Sequence, residues 1–334
     1  MASSLVLIGF IIVLALVFDF LNGFHDAANS IATIVSTRVL KPYFAVLWAA
    51  FFNFVAFLFF ELKVANTIGT GLVTPEIIDP IFILAALVGA IIWNLVTWYY
   101  GIPSSSSHAL IGGLLGVAIT KTGWHAINFA GIGKVLISII LSPMLGLIIG
   151  LMFIFIIVRI FFHSPKRKID RLFRKLQLVS SALISLGHGG NDAQKTMGII
   201  AILLFSSHLI GPEFHVPLWV IIACNLTIAL GTMCGGWRIV RTMGMKITKL
   251  QPVSGFAAET ASAATIFLAT GLGIPVSTTH TITGSIMGVG SLQRASAVRW
   301  GVAKNVVMAW IITIPAAGIV SASVWYLIQL FYRA

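Results

Sequence analysis

Two polar segments of similar make-up interrupt apolar stretches of this chain. The first carries Asn22, His25, Asp26 and Asn29, and the second His188, Asn191, Asp192, Gln194 and Lys195. A carboxylate inside an apolar segment is costly and calls for a partner or an aqueous cavity. Two Asp at matching places, each flanked by carboxamides, point to binding of protons or metal cations. A second pair of segments is rich in hydroxyls. Ser104, Ser105, Ser106, Ser107 and His108 follow Pro103, and Ser277, Thr278, Thr279 and His280 follow Pro275. Pro followed by Ser or Thr favours a helix start. Within a membrane such a start offers free N–H groups and partial positive charge, an anion site. The hydroxyls add donors for a tetrahedral oxyanion without adding charge.

Asp26 and Asp192 would repel that oxyanion in a low-dielectric cavity. The conflict disappears when each carboxylate first takes up a proton or a metal cation. Neither ion is then well tolerated alone, which is a physical basis for cation–anion symport.

Helices must position these residues. Of the 334 residues, 58% are hydrophobic and only 9% charged, too little charge to cover a water-facing surface. Apolar runs approach the ~20 residues of a spanning helix, and they lack the alternation of a barrel strand. They fall near 5–21, 43–62, 81–100, 104–120, 135–162, 178–204, 216–236, 253–272, 274–292 and 304–331. The expected fold is an all-α polytopic membrane protein of about 10–12 membrane segments, some discontinuous or re-entrant. Residues 5–21 read as a retained first span, because no basic region and cleavage site precede them. The net charge of +12 sits in short segments between apolar runs, so it reads as topology and not as nucleic-acid binding. Cys224 and Cys234 read as packing residues.

The most polar stretch, 163–177, separates a first repeat (1–162) from a second (178–334). With this linker cytoplasmic, Arg38, Lys41, Arg159, the basic residues of 166–175, Arg238, Arg241, Lys246, Lys249, Arg294, Arg299 and Lys304 are inside. Lys63, Lys121, Lys134 and Arg333 fall outside. The bias puts both termini outside, and the expected location is the cell inner (plasma) membrane. Five crossings per half would invert the second half relative to the first.

The halves are related in sequence. "GIPSSSSHALIGGLLGV" (101–117) aligns with "GIPVSTTHTITGSIMGV" (273–289) at an offset of 172, with eight of seventeen positions identical. Asn53 and Asn225 match at that offset, and "NGFHDAANS" (22–30) matches "HGGNDAQKT" (188–196) at 166. Inverted repeats with interrupted polar helices mark secondary transporters, with substrate bound near the midplane where the repeats meet. Gly112, Gly113, Gly116, Gly284 and Gly288 would let helices pack closely behind the site.

"GFHDAANS", "GHGGNDAQKT", "GIPSSSSH" and "GIPVSTTH" resemble the duplicated signatures of the inorganic phosphate transporter (PiT) family. The resemblance covers nearly the whole chain. It implies phosphate import driven by H⁺ or Na⁺, an inverted-repeat helical fold and a homodimer, with no cofactor. Its acidic signature maps onto Asp26 with Asn29 and Asn191 with Asp192, where Na⁺ would also bind. Its hydroxyl signatures map onto Ser105, Ser106, Ser107, Ser277, Thr278 and Thr279. His25 stands where sodium-coupled relatives commonly have Asn, which resembles the low-affinity proton-coupled bacterial branch that carries phosphate or its neutral metal complexes.

Asn29 and Lys195 join the expected phosphate ligands; His25, Asn191 and Glu259 join Asp26 and Asp192 as coupling residues. A proton is favoured over sodium, since neutral imidazole is a poor ligand for a hard cation and exchanges protons near neutral pH. His108 and His280 read first as helix packing. Asp19 is expected against Asn53 or Lys63. Sulfate is the competing substrate, being isosteric with phosphate. A Ser-His-Asp hydrolase fits poorly, because a triad needs one nucleophile and these elements come in duplicate.

Overall fold

The computed structural model describes residues 2–293 and 295–333, so the expected cytoplasmic Arg294 lies outside the described residues. Twelve α-helices are found among the described residues: α1 Ala2–Ser36, α2 Pro42–Val55, α3 Lys63–Thr70, α4 Pro80–Tyr100, α5 Ser106–Thr122, α6 Phe129–Ile160, α7 Lys166–Ser206, α8 Leu218–Cys234, α9 Trp237–Arg241, α10 Pro252–Gly271, α11 Thr278–Gln293 and α12 Trp300–Arg333. Four of them (α1, α4, α6 and α12) are long and apolar enough to cross a membrane alone. Two further spans would be bent: α2 with α3 at 81°, and α8 with α9 and its π-turn at 61°. These bends agree with the expectation that some membrane segments are discontinuous. Helices α5 and α11 are short, and α5, α7, α10 and α11 carry many buried polar residues, as does the second half of α1.

Residues 163–177 are not an irregular linker. Pro165 starts α7, and residues 166–177 form its first three turns. Lys, Arg, Leu and Gln are strong helix formers. Phe173 is buried, and Ile169, Leu172 and Leu176 pack on an apolar cluster, so this basic segment has one anchored face.

The halves pack as equivalents. Helix α1 lies on α8 as α7 lies on α2, and α5 lies on α12 as α11 lies on α6. The glycines named above permit these crossings. A Cβ at Gly116 would stand 2.1 Å from the Gly318 carbonyl oxygen, and one at Gly284 2.1 Å from that of Pro143. Such approaches leave room only for hydrogen.

Each half of the chain also breaks a helix at an aligned position. Asp79 caps α4, accepting from the Phe82 N–H at 2.8 Å, and Pro80 follows at the first turn. Gly101 ends α4 at φ 65°, and Gly273 follows α10 at φ 69°. This left-handed backbone favours glycine. Residues 102–105 and 274–277 then run without helix to the starts of α5 and α11. Gly101 meets Arg238, whereas Gly273 meets Lys63. Arg38, in the turn after α1, accepts a bond from Arg174 at its carbonyl oxygen, and Ile247 pairs with Arg299. The basic turns therefore adjoin one another.

Two apolar clusters fill the bundle, one around Phe18, Phe82, Leu110 and Leu203, the other around Ile34, Phe173, Ile266 and Ile286. The polar segments lie between them. Outward, α6 and α12 expose Ile137, Ile140, Met144, Ile311, Ile319 and Leu327, an apolar surface for lipid.

Candidate functional site

The starts of α5 and α11 meet the middles of α1 and α7. Ser105 caps α5, accepting from the His108 N–H at 3.3 Å, and Ser277 accepts from the His280 N–H at 3.2 Å. This leaves the next two hydroxyls of each segment for the interior.

Those hydroxyls engage the carboxylates equivalently. Ser106 Oγ lies 2.8 Å from Asp26 Oδ2, and Thr278 Oγ1 lies 2.8 Å from Asp192 Oδ2. The following pair crosses between the repeats. Asn29 Nδ2 donates to Thr278 and Thr279 at 3.0 Å each, and the equivalent Lys195 donates to Ser107. Lys195 also pairs with Asp192 and donates to the Val276 carbonyl oxygen at 2.8 Å. Asp26, Asp192, Lys195 and the four hydroxyls are all buried. The centre is thus shielded from solvent.

Three buried ligand groups, of Asp26, His188 and Asp192, have atoms within 4.8 Å of one another and could hold a metal ion. His188 Nε2 lies 3.2 Å from Asp192 Oδ2, while its Nδ1 lies 3.2 Å from Asn53 Oδ1. Ser106 Oγ is also 2.6 Å from Asn22 Oδ1, so one hydroxyl proton faces two acceptors. A further proton or a cation fits that contact. The amide oxygens of Asn29 and Asn191 have no hydrogen-bond partner among the described residues. They can accept from a protonated phosphate oxygen or ligate a hard cation.

Residues 22–321 match the phosphate transporter family. The chain belongs to this family. A probable low-affinity inorganic phosphate transporter of Rhizobium meliloti is 61% identical over 316 residues, covering 95% of each chain. Its Bacillus subtilis counterpart is 46% identical, covering 98% of this chain and 99% of the other. A solved structure, the sodium-dependent phosphate transporter, is 25% identical with a TM-score of 0.89, covering 97% of this chain and 99% of that one. Relatives and fold are those of transporters, not enzymes.

In this member of the phosphate transporter family, most sequence-expected residues converge. His25 reaches the centre, with Nδ1 2.7 Å from Asp26 Oδ1 and Nε2 3.1 Å from Thr97 Oγ1. Asn191 donates to Thr270 at 2.9 Å. Ser105 and Ser277 serve as caps one residue behind the contacts. Glu259 lies apart. It accepts from Thr33 at 2.5 Å, from Gln177 at 2.9 Å and from Ser180. Thr33 is two helical turns beyond Asp26 on α1.

Asp19 meets neither Asn53 nor Lys63. Lys63 pairs with Glu61 at the surface, Asn53 binds Thr232 and His188, and Asp19 accepts from Thr196. The rings of His108 and His280 meet edge to face at 4.6 Å, and His280 stacks on Trp310 at 3.8 Å. Sequence reasoning left His188, Thr97 and Thr270 out of the site. His188 was signalled by its alignment with Asn22; the two threonines carried no signal beyond being polar in apolar helices.

Proposed function

We propose that this protein imports inorganic phosphate by symport with a cation, protons being favoured, and binds the anion near the membrane midplane where two inverted repeats meet. The observation that carries this reading is the matched pair of contacts, Ser106 to Asp26 and Thr278 to Asp192, each 2.8 Å, at the starts of two interior helices. Phosphate draped over these starts would receive N–H groups, hydroxyls and the Lys195 ammonium. Asn29 and Asn191 would accept from its own O–H group.

Charge explains the coupling. The centre holds two carboxylates against one lysine, so a dianion raises an existing negative excess. Protons or metal cations on the carboxylates must enter with it. His25 favours protons, because its ring touches both Asp26 and Thr97 and can exchange with the carboxyl. Contacts between basic turns, Arg174 on the Arg38 carbonyl oxygen and Arg299 on that of Ile247, are in keeping with a linker on the cytoplasmic side.

Sodium is the second reading, supported by the sodium dependence of the solved relative and by the grouped Asp26, His188 and Asp192. An imidazole nitrogen among those donors suits a first-row divalent ion better than sodium. A metal–phosphate complex therefore also fits the centre.

The test is radiolabelled phosphate uptake into proteoliposomes with H⁺ and Na⁺ gradients imposed separately. Uptake should follow an inward proton gradient with choline replacing sodium, alkalinise the outside and be nearly abolished by Asp26→Asn or Asp192→Asn. Uptake that requires sodium and ignores the proton gradient would leave the sodium reading. Near-normal flux in either variant would remove its carboxylate from the mechanism.

A further inference from the structure

Asp19 takes no part in the contacts that build the centre. It precedes Asp26 by seven residues on α1, which is the same helix face about 10 Å away. There it adjoins the apolar cluster around Phe18 and Leu203. Its side chain is fully buried. Oδ1 accepts from Thr196 at 2.8 Å, and Oδ2 has no hydrogen-bond partner among the described residues.

Its surroundings offer no compensating charge. Helices α2 and α4 contribute only the exposed Tyr43, Tyr99 and Tyr100 as titratable groups. On α7, Asp192 adds a like charge, while Lys195 is committed to Asp192 and His188 to Asn53. Helix α8 presents the Cys224 thiol. On α5 and α11, His108 and His280 face each other, and Lys121 pairs with Asp79. Glu259 of α10 is held by Thr33 and Gln177. Arg238 of α9 binds the Tyr99 carbonyl oxygen, and Arg241 and Lys246 are exposed at the far end of α1. An ionised Asp19 would have one donor, a like-charged neighbour and no salt bridge among the described residues. That arrangement is strongly unfavourable for a buried charge. The neutral acid fits, with its proton on Oδ2.

We propose that Asp19 is a proton-binding station on the outer side of the phosphate centre and supplies the coupling proton. The inference rests on the proton reading above. Thr196, its hydrogen-bond partner, stands one turn beyond Asp192 on α7 and so links Asp19 to the centre. In the step, the carboxyl turns its O–H toward Thr196, that O–H bond breaks, and the Thr196 hydroxyl accepts this proton while releasing its own to HPO₄²⁻. H₂PO₄⁻ and an Asp19 carboxylate result, and water on the outer side reprotonates the carboxylate.

The experiment compares wild type, Asp19→Asn and Asp19→Glu in sodium-free proteoliposomes. Phosphate exchange at equal pH is measured beside accumulation under an inward gradient of one pH unit. One proton per phosphate sustains about a tenfold concentration ratio there. Asp19→Asn should exchange phosphate at the wild-type rate yet lose that accumulation, and Asp19→Glu should keep both. Full accumulation by Asp19→Asn while wild type is proton-driven overturns this inference alone. Loss of exchange by a folded Asp19→Asn also overturns it, by putting Asp19 in the binding centre. Wild-type uptake that ignores the proton gradient overturns the proton reading and this inference together. Should Asp19→Asn not fold, infrared spectra of the wild type at neutral pH decide. A protonated carboxyl band that moves in Asp19→Glu supports the station, and a spectrum unchanged by that substitution overturns it.

Discussion

Lys195→Met tests whether the buried ion pair holds the centre together. In the structure the ammonium binds Asp192, Ser107 and the Val276 carbonyl oxygen, and all three partners are buried. Methionine nearly matches the stem in volume, so the perturbation is mainly electrostatic. Removing one member of a buried pair typically costs about 3–5 kcal/mol, because the other charge is left uncompensated. Asp192 keeps Thr278 and the nearby His188, which places the expected loss toward the lower end, about 3 kcal/mol. Adding Asp192→Asn removes the stranded charge and should restore most of that loss, although neither protein should transport. The assay is unfolding in detergent followed by tryptophan fluorescence, with both single variants and the double variant. Strictly additive losses would show that the two charges do not interact, and the account of the centre would fail.

Three further outcomes follow from the same geometry. Ser106→Ala and Thr278→Ala each delete a donor to a charged group, worth about 1.5–3 kcal/mol, so phosphate affinity should fall roughly ten- to a hundredfold in equilibrium binding; unchanged affinity in both would move the anion elsewhere. Gly116→Val and Gly284→Val push side chains into carbonyl oxygens 2.1 Å from the ideal Cβ and should lower the melting temperature, whereas Gly9→Val, with open space around it, should not. With the native cysteines replaced, Ser164→Cys should resist an impermeant thiol reagent in intact cells; rapid labelling would reverse the topology.

The centre was legible because its residues are the wrong kind for their surroundings. Asp26, Asp192 and the two hydroxyl runs stand out in apolar sequence, and their repetition removes chance as an explanation. Capping was legible too, since Pro and Ser act through local backbone geometry. What escaped was set by contacts between distant segments. The polar residues from Glu61 to Thr70 mark the end of an apolar run, but the 81° bend there is set by contacts with a distant helix, such as those of Gln194 with the Val64 and Ala65 N–H groups. The first three turns of α7 looked like a linker because their charges hide a stripe of Ile169, Leu172, Phe173 and Leu176. Glu259 and Asp19 were visible as buried acids, but their partners Gln177 and Thr196 lie on another helix.

The contacts of Asn29 and Lys195 have a thermodynamic consequence. Both residues reach across to the opposite repeat's hydroxyls from equivalent places, yet one is neutral and the other cationic. In an inverted pair of identical repeats, exchanging their conformations would turn the outward-facing protein into its own mirror in function. The two orientations would then be degenerate, each populated half the time. Any preference must come from positions where the repeats differ, and at the centre these include Asn29 against Lys195, His25 against Asn191, and Asn22 against His188. At the centre, the resting orientation would then be biased by side chains that the two halves do not share.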